Sequence, residues 1–260
     1  MAKNEKVNKR AAGVLRAIAG VPHPKNFTSA VIAAAGSSTR MGGNTTKQMM
    51  ELEGLPVVVH TLLAYEAAEC IHELVVVAKE DECPIYEYIR RKYEISKLTQ
   101  IVAGGKTRQE STRIGSDVVD KRAKYVAIAD GARCLITPEE IDKVCHAAYQ
   151  WGAASAAIRA SDTVKVADKS GFIEYTPERN MTWLAQTPQV FAINIYRAAA
   201  YACRDEGFET TDDNQLCEHI RIPVKLVECS KQNIKITEPG DLIYASAVLK
   251  ARNAQNNNEE

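Results

Sequence analysis

From residue 28 onward, short apolar runs alternate with longer amphipathic stretches, and this alternation predicts an α/β fold. The apolar runs are typical of buried strands because they are short and continuously apolar. One helical stretch has a clear start, with Thr137 as N-cap, Pro138 in the first turn and Glu140 in capping-box position. Strands are predicted at residues 30–35, 74–78, 100–102, 125–129 and 153–158, and helices at 56–68, 83–93, 110–120 and 138–151.

The alternation breaks after residue 159. Two short stretches, 163–166 and 172–175, flank a turn that ends in Gly171, which predicts a β-hairpin. These features together predict a single Rossmann-like domain at 27–252, with a mostly parallel sheet and an inserted hairpin arm at about 160–180. After the arm we expect a strand at 189–193, a helix to about 205, a short helix from 211, a strand at 224–228 and a helix at about 239–251.

Composition and charge narrow the possible partners. The chain of 260 residues is 45% apolar and 25% charged, as in ordinary globular proteins. Its formal net charge of +0 argues against nucleic acid or an anionic membrane as a partner, and no apolar stretch approaches the roughly 20 residues of a membrane span. The seven cysteines have no C-x-x-C spacing, which favours reduced thiols in the cytoplasm.

The two ends differ in composition from the domain. Residues 1–26 carry six Lys and Arg and no strand pattern, so we expect an N-terminal extension that is partly disordered. Residues 253–260 are polar, and we expect a frayed tail.

The segment that follows the first predicted strand is the strongest candidate for a ligand site. Small residues ending in Gly36 lead into hydroxyl side chains and then into Arg40 and Lys47. Small residues allow close backbone approach to a ligand, and the two cations can neutralise a triphosphate. The spacing matches neither the Walker A loop nor the G-x-G-x-x-G fingerprint, so it predicts a nucleotide site of a third kind. The alternative is a solvated turn with flanking cations.

Four further polar clusters occur where predicted strands end, the edge at which open α/β sheets bind ligands. Two of them are Gly105 with Ser111, at the start of a helix, and Asp130 with Arg133, directly after an apolar strand. The carboxylate can orient a hydroxyl or a hydrated metal ion, and the arginine can hold a phosphate. The alternatives are a helix-start turn with solvated cations and a structural Asp–Arg pair.

The other two clusters lie later in the chain. Thr187, in a Thr-Pro-Gln turn, can donate to an anion, and Thr211 opens a predicted helix whose N-terminus suits an anion or a polyol. Lys235 alternates with two isoleucines, which predicts that it projects from a short strand. The alternatives are turn chemistry for the threonines and a solvent-facing position for Lys235.

Taken in order, these strings resemble the 2-C-methyl-D-erythritol 4-phosphate cytidylyltransferase family between about residues 29 and 252. The strings are A-A-A-G-x-x-x-R-M-x(5)-K-Q, G-G-x-x-R-x-x-S, D-G-A-R, R-N-x(5)-Q-T-P-Q, T-D-D and N-I-K-I-T. The resemblance implies transfer of CMP from CTP to methylerythritol phosphate, with Mg²⁺ held mainly by the CTP phosphates and water. It also implies a homodimer in which the hairpin arm of one subunit reaches the partner's site.

The resemblance further implies a role for each matching position. Arg40, Lys47 and Lys235 would be catalytic. The cytidine pocket would be lined by Ala34, Ala35, Gly36, Gly105 and Ser111. The methylerythritol phosphate would be surrounded by Asp130, Arg133, Thr163, Arg179, Thr187 and Thr211, with Arg179 supplied from the partner's arm.

Three positions depart from the family pattern. Ala129 stands where the family usually has His, Cys134 where it has Pro, and Asp213 where it has Glu. Two alternatives stay open at this point. One is a pentitol-phosphate cytidylyltransferase acting on ribitol 5-phosphate, and the other is a catalytically inactive nucleotide-binding module.

Overall fold

A seven-stranded sheet forms the centre of the structure, a computed structural model that describes residues 25–36 and 46–256. The strand order is β11-β7-β10-β6-β1-β4-β5. β10 runs antiparallel to both of its neighbours, and the other pairings are parallel. The strands are β1 Thr28–Ala33, β2 Glu51–Leu52, β3 Leu55–Pro56, β4 Ile71–Ala78, β5 Leu98–Ala103, β6 Tyr125–Asp130, β7 Ala153–Arg159, β8 Val166–Ala167, β9 Ile173–Tyr175, β10 Trp183–Ala192 and β11 Lys225–Glu228. The prediction of a mostly parallel sheet is confirmed.

Helices cover both faces of this sheet. Alternate residues of a strand point to opposite faces. Ala30 and Ile32 therefore pack in the core beneath α1, α2 and α4, whereas Val31 packs in a second core beneath α3, α5 and α6. The helices are α1 Val57–Ala67, α2 Cys83–Lys92, α3 Arg108–Asp117, α4 Pro138–Trp151, α5 Ile193–Glu206, α6 Asn214–His219 and α7 Pro239–Asn256. No helix in these described stretches is long and apolar enough to cross a membrane.

Helix α3 lies unusually close to the sheet because of Gly115. A Cβ atom at this position would lie 2.4 Å from Val31 Cγ1 and 2.7 Å from Val77 Cγ2. The N-cap of the helix is Thr107, whose hydroxyl accepts from the Glu110 N–H at 3.0 Å. The close packing brings this capped N-terminus to the carboxyl ends of β1 and β5.

Two hairpins stand apart from the central sheet. The inserted arm is present, as β8 and β9, although its first strand begins at Val166 rather than at 163. The β2–β3 hairpin was not predicted. Its turn consists of Glu53 and Gly54, both with positive φ, and its strands are only two residues long. Strands this short leave no period-2 pattern for a sequence to show.

Other boundaries differ where tertiary contacts decide them. β10 begins at Trp183, six residues before the predicted start, because its first half pairs with β7. Residues 234–237 form no strand, although Ile236 is buried and its N–H bonds to Ala132 O at 2.8 Å. The capping box predicted for α4 is confirmed. The predicted extension lies outside the described residues except at its last two positions, and α7 continues to Asn256.

Candidate active site

Two adjoining cavities open at the carboxyl ends of the parallel strands. The first, of about 310 Å³, lies between the segment after β1, the start of α3 and the end of β6. The second, of about 150 Å³, lies between the end of β6, β10 and the segment before α6. Arg108, Asp130 and Lys235 line both cavities. These three residues therefore mark the point at which a ligand in one cavity would meet a ligand in the other.

Asp130, the last residue of β6, is buried among three cations. Its carboxylate lies 3.0 Å from Lys235 Nζ, 3.3 Å from Arg133 Nε and 3.4 Å from Arg108 Nε. Burial by itself would raise the pKa of this carboxyl, but Lys235, Arg108 and Arg133 hold the pKa well below its usual range. Asp130 is therefore ionised and holds the three cations at the junction of the cavities.

The position of Lys235 is fixed by the buried residue Asn233. The side-chain amide of Asn233 donates to Gln186 Oε1 at 3.1 Å and to Thr187 O at 3.0 Å. Its backbone carbonyl accepts from Arg133 Nη1 at 2.8 Å. These bonds tie the segment before α7 to β10 and to the loop after β6. Lys235 consequently points at Asp130 and lines the cavities, which excludes the fully solvent-facing alternative.

The first cavity gathers most of the residues expected to bind a nucleotide. Ala35, Gly36, Gly105 and Ser111 line it, as does Lys47. The Ser111 hydroxyl accepts from the Gly105 N–H at 3.1 Å and donates to the carbonyl that precedes α3. These two bonds fix the loop between β5 and α3 against the first turn of α3.

Ala34 differs from its neighbours in this segment. It is fully buried, and its N–H donates to Val77 O at 2.8 Å. It is not among the described lining residues of the cavity, although Ala33 and Ala35 on either side of it are.

Lys47 lies near the first turn of α7. Asp241 in that turn accepts from the N–H groups of Thr237 and Glu238. Burial raises the pKa of Asp241, whereas these hydrogen bonds and the charge of Lys47 lower it, and the net direction is downward. The charge of Lys47 is therefore close enough to Asp241 for the two side chains to interact electrostatically.

The second cavity gathers some of the residues expected to surround the acceptor. Asp130, Arg133, Thr187 and Thr211 line it. The Thr187 hydroxyl also accepts the Asp130 N–H at 3.0 Å, which joins β10 to β6.

Apart from Ala34, three of the expected site residues are not brought to these cavities by the described part of the chain. Thr163 and Arg179 are exposed near the arm and line neither cavity. Arg40 lies outside the described residues. The roles implied for these three stay predictions.

Two residues of the site, Arg108 and Asp213, were not among the sequence candidates. Arg108 Nη1 donates to the buried Asp213 carboxylate, while Nε faces Asp130. The signal was present in the sequence, as the arginine of the G-G-x-x-R string and the second aspartate of T-D-D.

Two of the departures from the family pattern lie away from the cavities. Ala129 is buried within β6, and Cys134 is buried in the core beneath α7. Burial raises the pKa of the Cys134 thiol to about 12, so it is protonated at neutral pH and unreactive. Neither residue lines the described cavities.

Comparison with known proteins gives a consistent result. Residues 28–251 match the model of the IspD family, 2-C-methyl-D-erythritol 4-phosphate cytidylyltransferase. A protein of that name from Caldanaerobacter subterraneus subsp. tengcongensis is 43% identical over 223 residues, which cover 85% of this chain and 98% of the relative. Another from Pelotomaculum thermopropionicum is 43% identical over 225 residues, covering 86% and 94%.

A solved structure agrees with the sequence relatives. The crystal structure of 4-diphosphocytidyl-2C-methyl-D-erythritol synthase from Anaerococcus prevotii superposes with a TM-score of 0.78 at 32% identity, covering 86% of this chain and 99% of that one. With the family model, the relatives and the fold in agreement, the chain belongs to the 2-C-methyl-D-erythritol 4-phosphate cytidylyltransferase family.

Proposed function

We propose that the protein transfers CMP from CTP to 2-C-methyl-D-erythritol 4-phosphate, giving 4-diphosphocytidyl-2-C-methyl-D-erythritol and pyrophosphate. The observation that carries the proposal is the pair of adjoining cavities that share Arg108, Asp130 and Lys235. CTP occupies the first cavity and the acceptor phosphate the second. The relatives are named for this reaction, and no observation favours ribitol 5-phosphate or an inactive module.

The residues of the site address the main barrier to this reaction, which is the approach of two anions. An oxygen of the acceptor phosphate attacks the α-phosphorus of CTP in line, and pyrophosphate leaves. Lys235 lies at the junction, where it neutralises charge on both phosphates, and Lys47 lies in the first cavity beside the triphosphate. Catalysis therefore rests on positioning and preorganised charge, and no covalent nucleophile is required.

Mg²⁺ is the proposed cofactor, and the possible metal ligands in the first cavity indicate how it is coordinated. Asp130 is the one carboxylate among the described lining residues, and its oxygens already face three cations. This donor set fits a Mg²⁺ that enters with CTP and is coordinated by phosphate oxygens and water. The ion neutralises phosphate charge when bound.

The arm supports the proposal of a homodimer. Phe172, Ile173, Tyr175 and Met181 are each more than half exposed, on or directly after the hairpin. Apolar side chains clustered in this way on a projecting element are typical of a protein–protein interface. In the proposed dimer, the arm of one subunit brings Arg179 to the second cavity of the other.

The oxidation state of the seven cysteines bears on the cellular compartment of the protein. All are free thiols. Since thiols persist in reducing compartments, we place the protein in the cytoplasm.

The direct test of the function is Mg²⁺-dependent pyrophosphate release from CTP, with methylerythritol 4-phosphate and ribitol 5-phosphate as parallel acceptors. We expect turnover with the first acceptor alone. Turnover with ribitol 5-phosphate alone would replace the proposed acceptor. Tight CTP binding without pyrophosphate release from either acceptor would favour a binding module.

Lys47→Ala should reduce turnover about 100-fold, the scale of removing one preorganised donor to developing charge. Steady-state kinetics at saturating CTP and acceptor measure the effect. Lys121→Ala, at an exposed position after α3, is the matched control and should keep parental turnover. A Lys47→Ala enzyme within tenfold of the parent would show that Lys47 does not stabilise the transition state.

Arg179→Ala should raise the KM for methylerythritol phosphate at least about tenfold while the KM for CTP changes less than about twofold, because the proposed role of Arg179 is to bind the acceptor and not CTP. Both constants come from initial rates of pyrophosphate release. Arg204→Ala, which removes an exposed arginine paired with its neighbour Asp205, is the control and should change neither constant. Equal changes in both constants would contradict the cross-subunit role.

A further inference from the structure

Asp213 is a buried residue held by hydrogen bonds to four residues from three elements of the fold. Its oxygen Oδ1 accepts from the Tyr196 hydroxyl at 2.9 Å and from the Thr112 hydroxyl at 3.0 Å. Its oxygen Oδ2 accepts from Arg108 Nη1, and its own N–H donates to Gln189 Oε1 at 2.9 Å. Because these partners come from α5, α3 and β10, the carboxylate just before α6 has a fixed position.

Arg108 consequently lies between two carboxylates and contacts both. Nη1 bonds to Asp213, and Nε faces Asp130 on the opposite side of the site. The guanidinium has five N–H donors, so these two contacts leave others available. Its side chain is 28% exposed and lines both cavities, so these donors face the space in which the two substrates meet.

We propose that Asp213 is a positioning residue that fixes Arg108 at the junction of the cavities, where the Arg108 guanidinium binds the phosphate group of the acceptor. The proposal rests on the proposed function, which places that phosphate in the second cavity. Pairing with Asp130 alone would leave the long side chain of Arg108 free to rotate about one contact. The second carboxylate fixes the plane of the guanidinium, and a fixed planar fork matches the geometry of a phosphate.

The surroundings of Asp213 separate this role from simple core stability. The contacts from Tyr196 and Thr112 are made on Oδ1 and lie within the core beneath α5. The contact with Arg108 is made on Oδ2 and leads to the cavities. A substitution of Tyr196 therefore perturbs the same carboxylate without touching Arg108.

The test compares Asp213→Asn, Arg108→Lys and the double variant by pyrophosphate release. Each single variant should raise the KM for methylerythritol phosphate at least about tenfold, with the KM for CTP within about twofold. Because both substitutions remove the same contact, the acceptor KM of the double variant should be within about twofold of that of the worse single variant. Tyr196→Phe is the matched control. It should lower the thermal midpoint yet keep both KM values within about twofold of the parent.

Several results would overturn the inference. These are parental KM values in a folded Asp213→Asn protein, effects of the two single variants that multiply in the double variant, or a raised acceptor KM in Tyr196→Phe equal to that in Asp213→Asn. If Asp213→Asn does not fold, the KM for the acceptor is measured in Arg108→Gln, which removes the other partner of the ion pair. An unchanged acceptor KM in that variant overturns the proposal. An inactive parent protein would refute the proposed function and this inference together, whereas an active parent with an unaffected Asp213→Asn variant refutes the inference alone.

Discussion

Lys235→Ala is expected to lower turnover by about three orders of magnitude, the upper end of the range for a single preorganised charge-stabilising group. Lys235 lines both cavities and lies 3.0 Å from Asp130. Its ammonium is therefore placed to offset charge on the attacking and the attacked phosphate at once. The measurement is kcat at saturating CTP and acceptor, with the fold checked by thermal unfolding.

The variant should stay folded because Arg108 and Arg133 still pair with Asp130. Lys250→Ala is the matched control, since this exposed lysine pairs with Glu53 on the surface and should keep parental kcat. Lys235→Arg keeps the charge but changes its geometry and should fall between the parent and the alanine variant. A kcat for Lys235→Ala within tenfold of the parent would rule out the catalytic role.

Asp130→Asn is expected to reduce the free energy of unfolding by about 3–5 kcal/mol, because one partner of a buried ion cluster is removed and three cations are left facing each other. Arg108, Arg133 and Lys235 all lie within 3.4 Å of this carboxylate. Urea denaturation at pH 7 measures the difference. Asp205→Asn, which removes an exposed partner of Arg204, should cost less than about 1 kcal/mol.

The same variant should show a distinctive dependence on pH. The folded-state pKa of Asp130 is depressed, so its contribution is complete above the unfolded-state pKa and is lost as pH falls through the folded-state value. The difference in unfolding free energy between parent and Asp130→Asn should therefore be constant from about pH 7 to 5 and shrink progressively below about pH 5. A difference that does not change with acid would show that the pKa is not depressed.

Much of the site was predictable because strand ends in a parallel sheet meet at one edge. The sequence placed Gly105, Asp130 and Arg133 shortly after apolar runs and Ser111 at the start of the next helix, and the structure brings all four to two adjoining cavities. Lys235 was harder to predict. Its position depends on the buried hydrogen bonds of Asn233, which join segments about 46 residues apart in the chain and leave no local pattern.

Arg108 and Asp213 could not be chosen from their local surroundings. A lysine–arginine pair before a helix is usually solvated, and an aspartate before a helix usually caps it. Their pairing spans 105 positions of the chain and depends on how α3 packs beside α5. Predicted strand boundaries were wrong for the same reason. β10 is longer than predicted because it pairs with β7, and its own composition does not show this extension.

The position of β10 in the sheet has a consequence for synthesis of the chain on the ribosome. Four neighbouring strands can pair as soon as residue 130 has emerged, namely β1, β4, β5 and β6. The free edge of β6 is covered only when β10 pairs with it. β7 can join these strands only through β10. Until residues 183–192 emerge, the nascent chain carries an open, apolar strand edge, the kind of surface that recruits chaperones or aggregates. A ribosome that stalls within the arm would therefore release a chain with half a sheet and an unprotected edge.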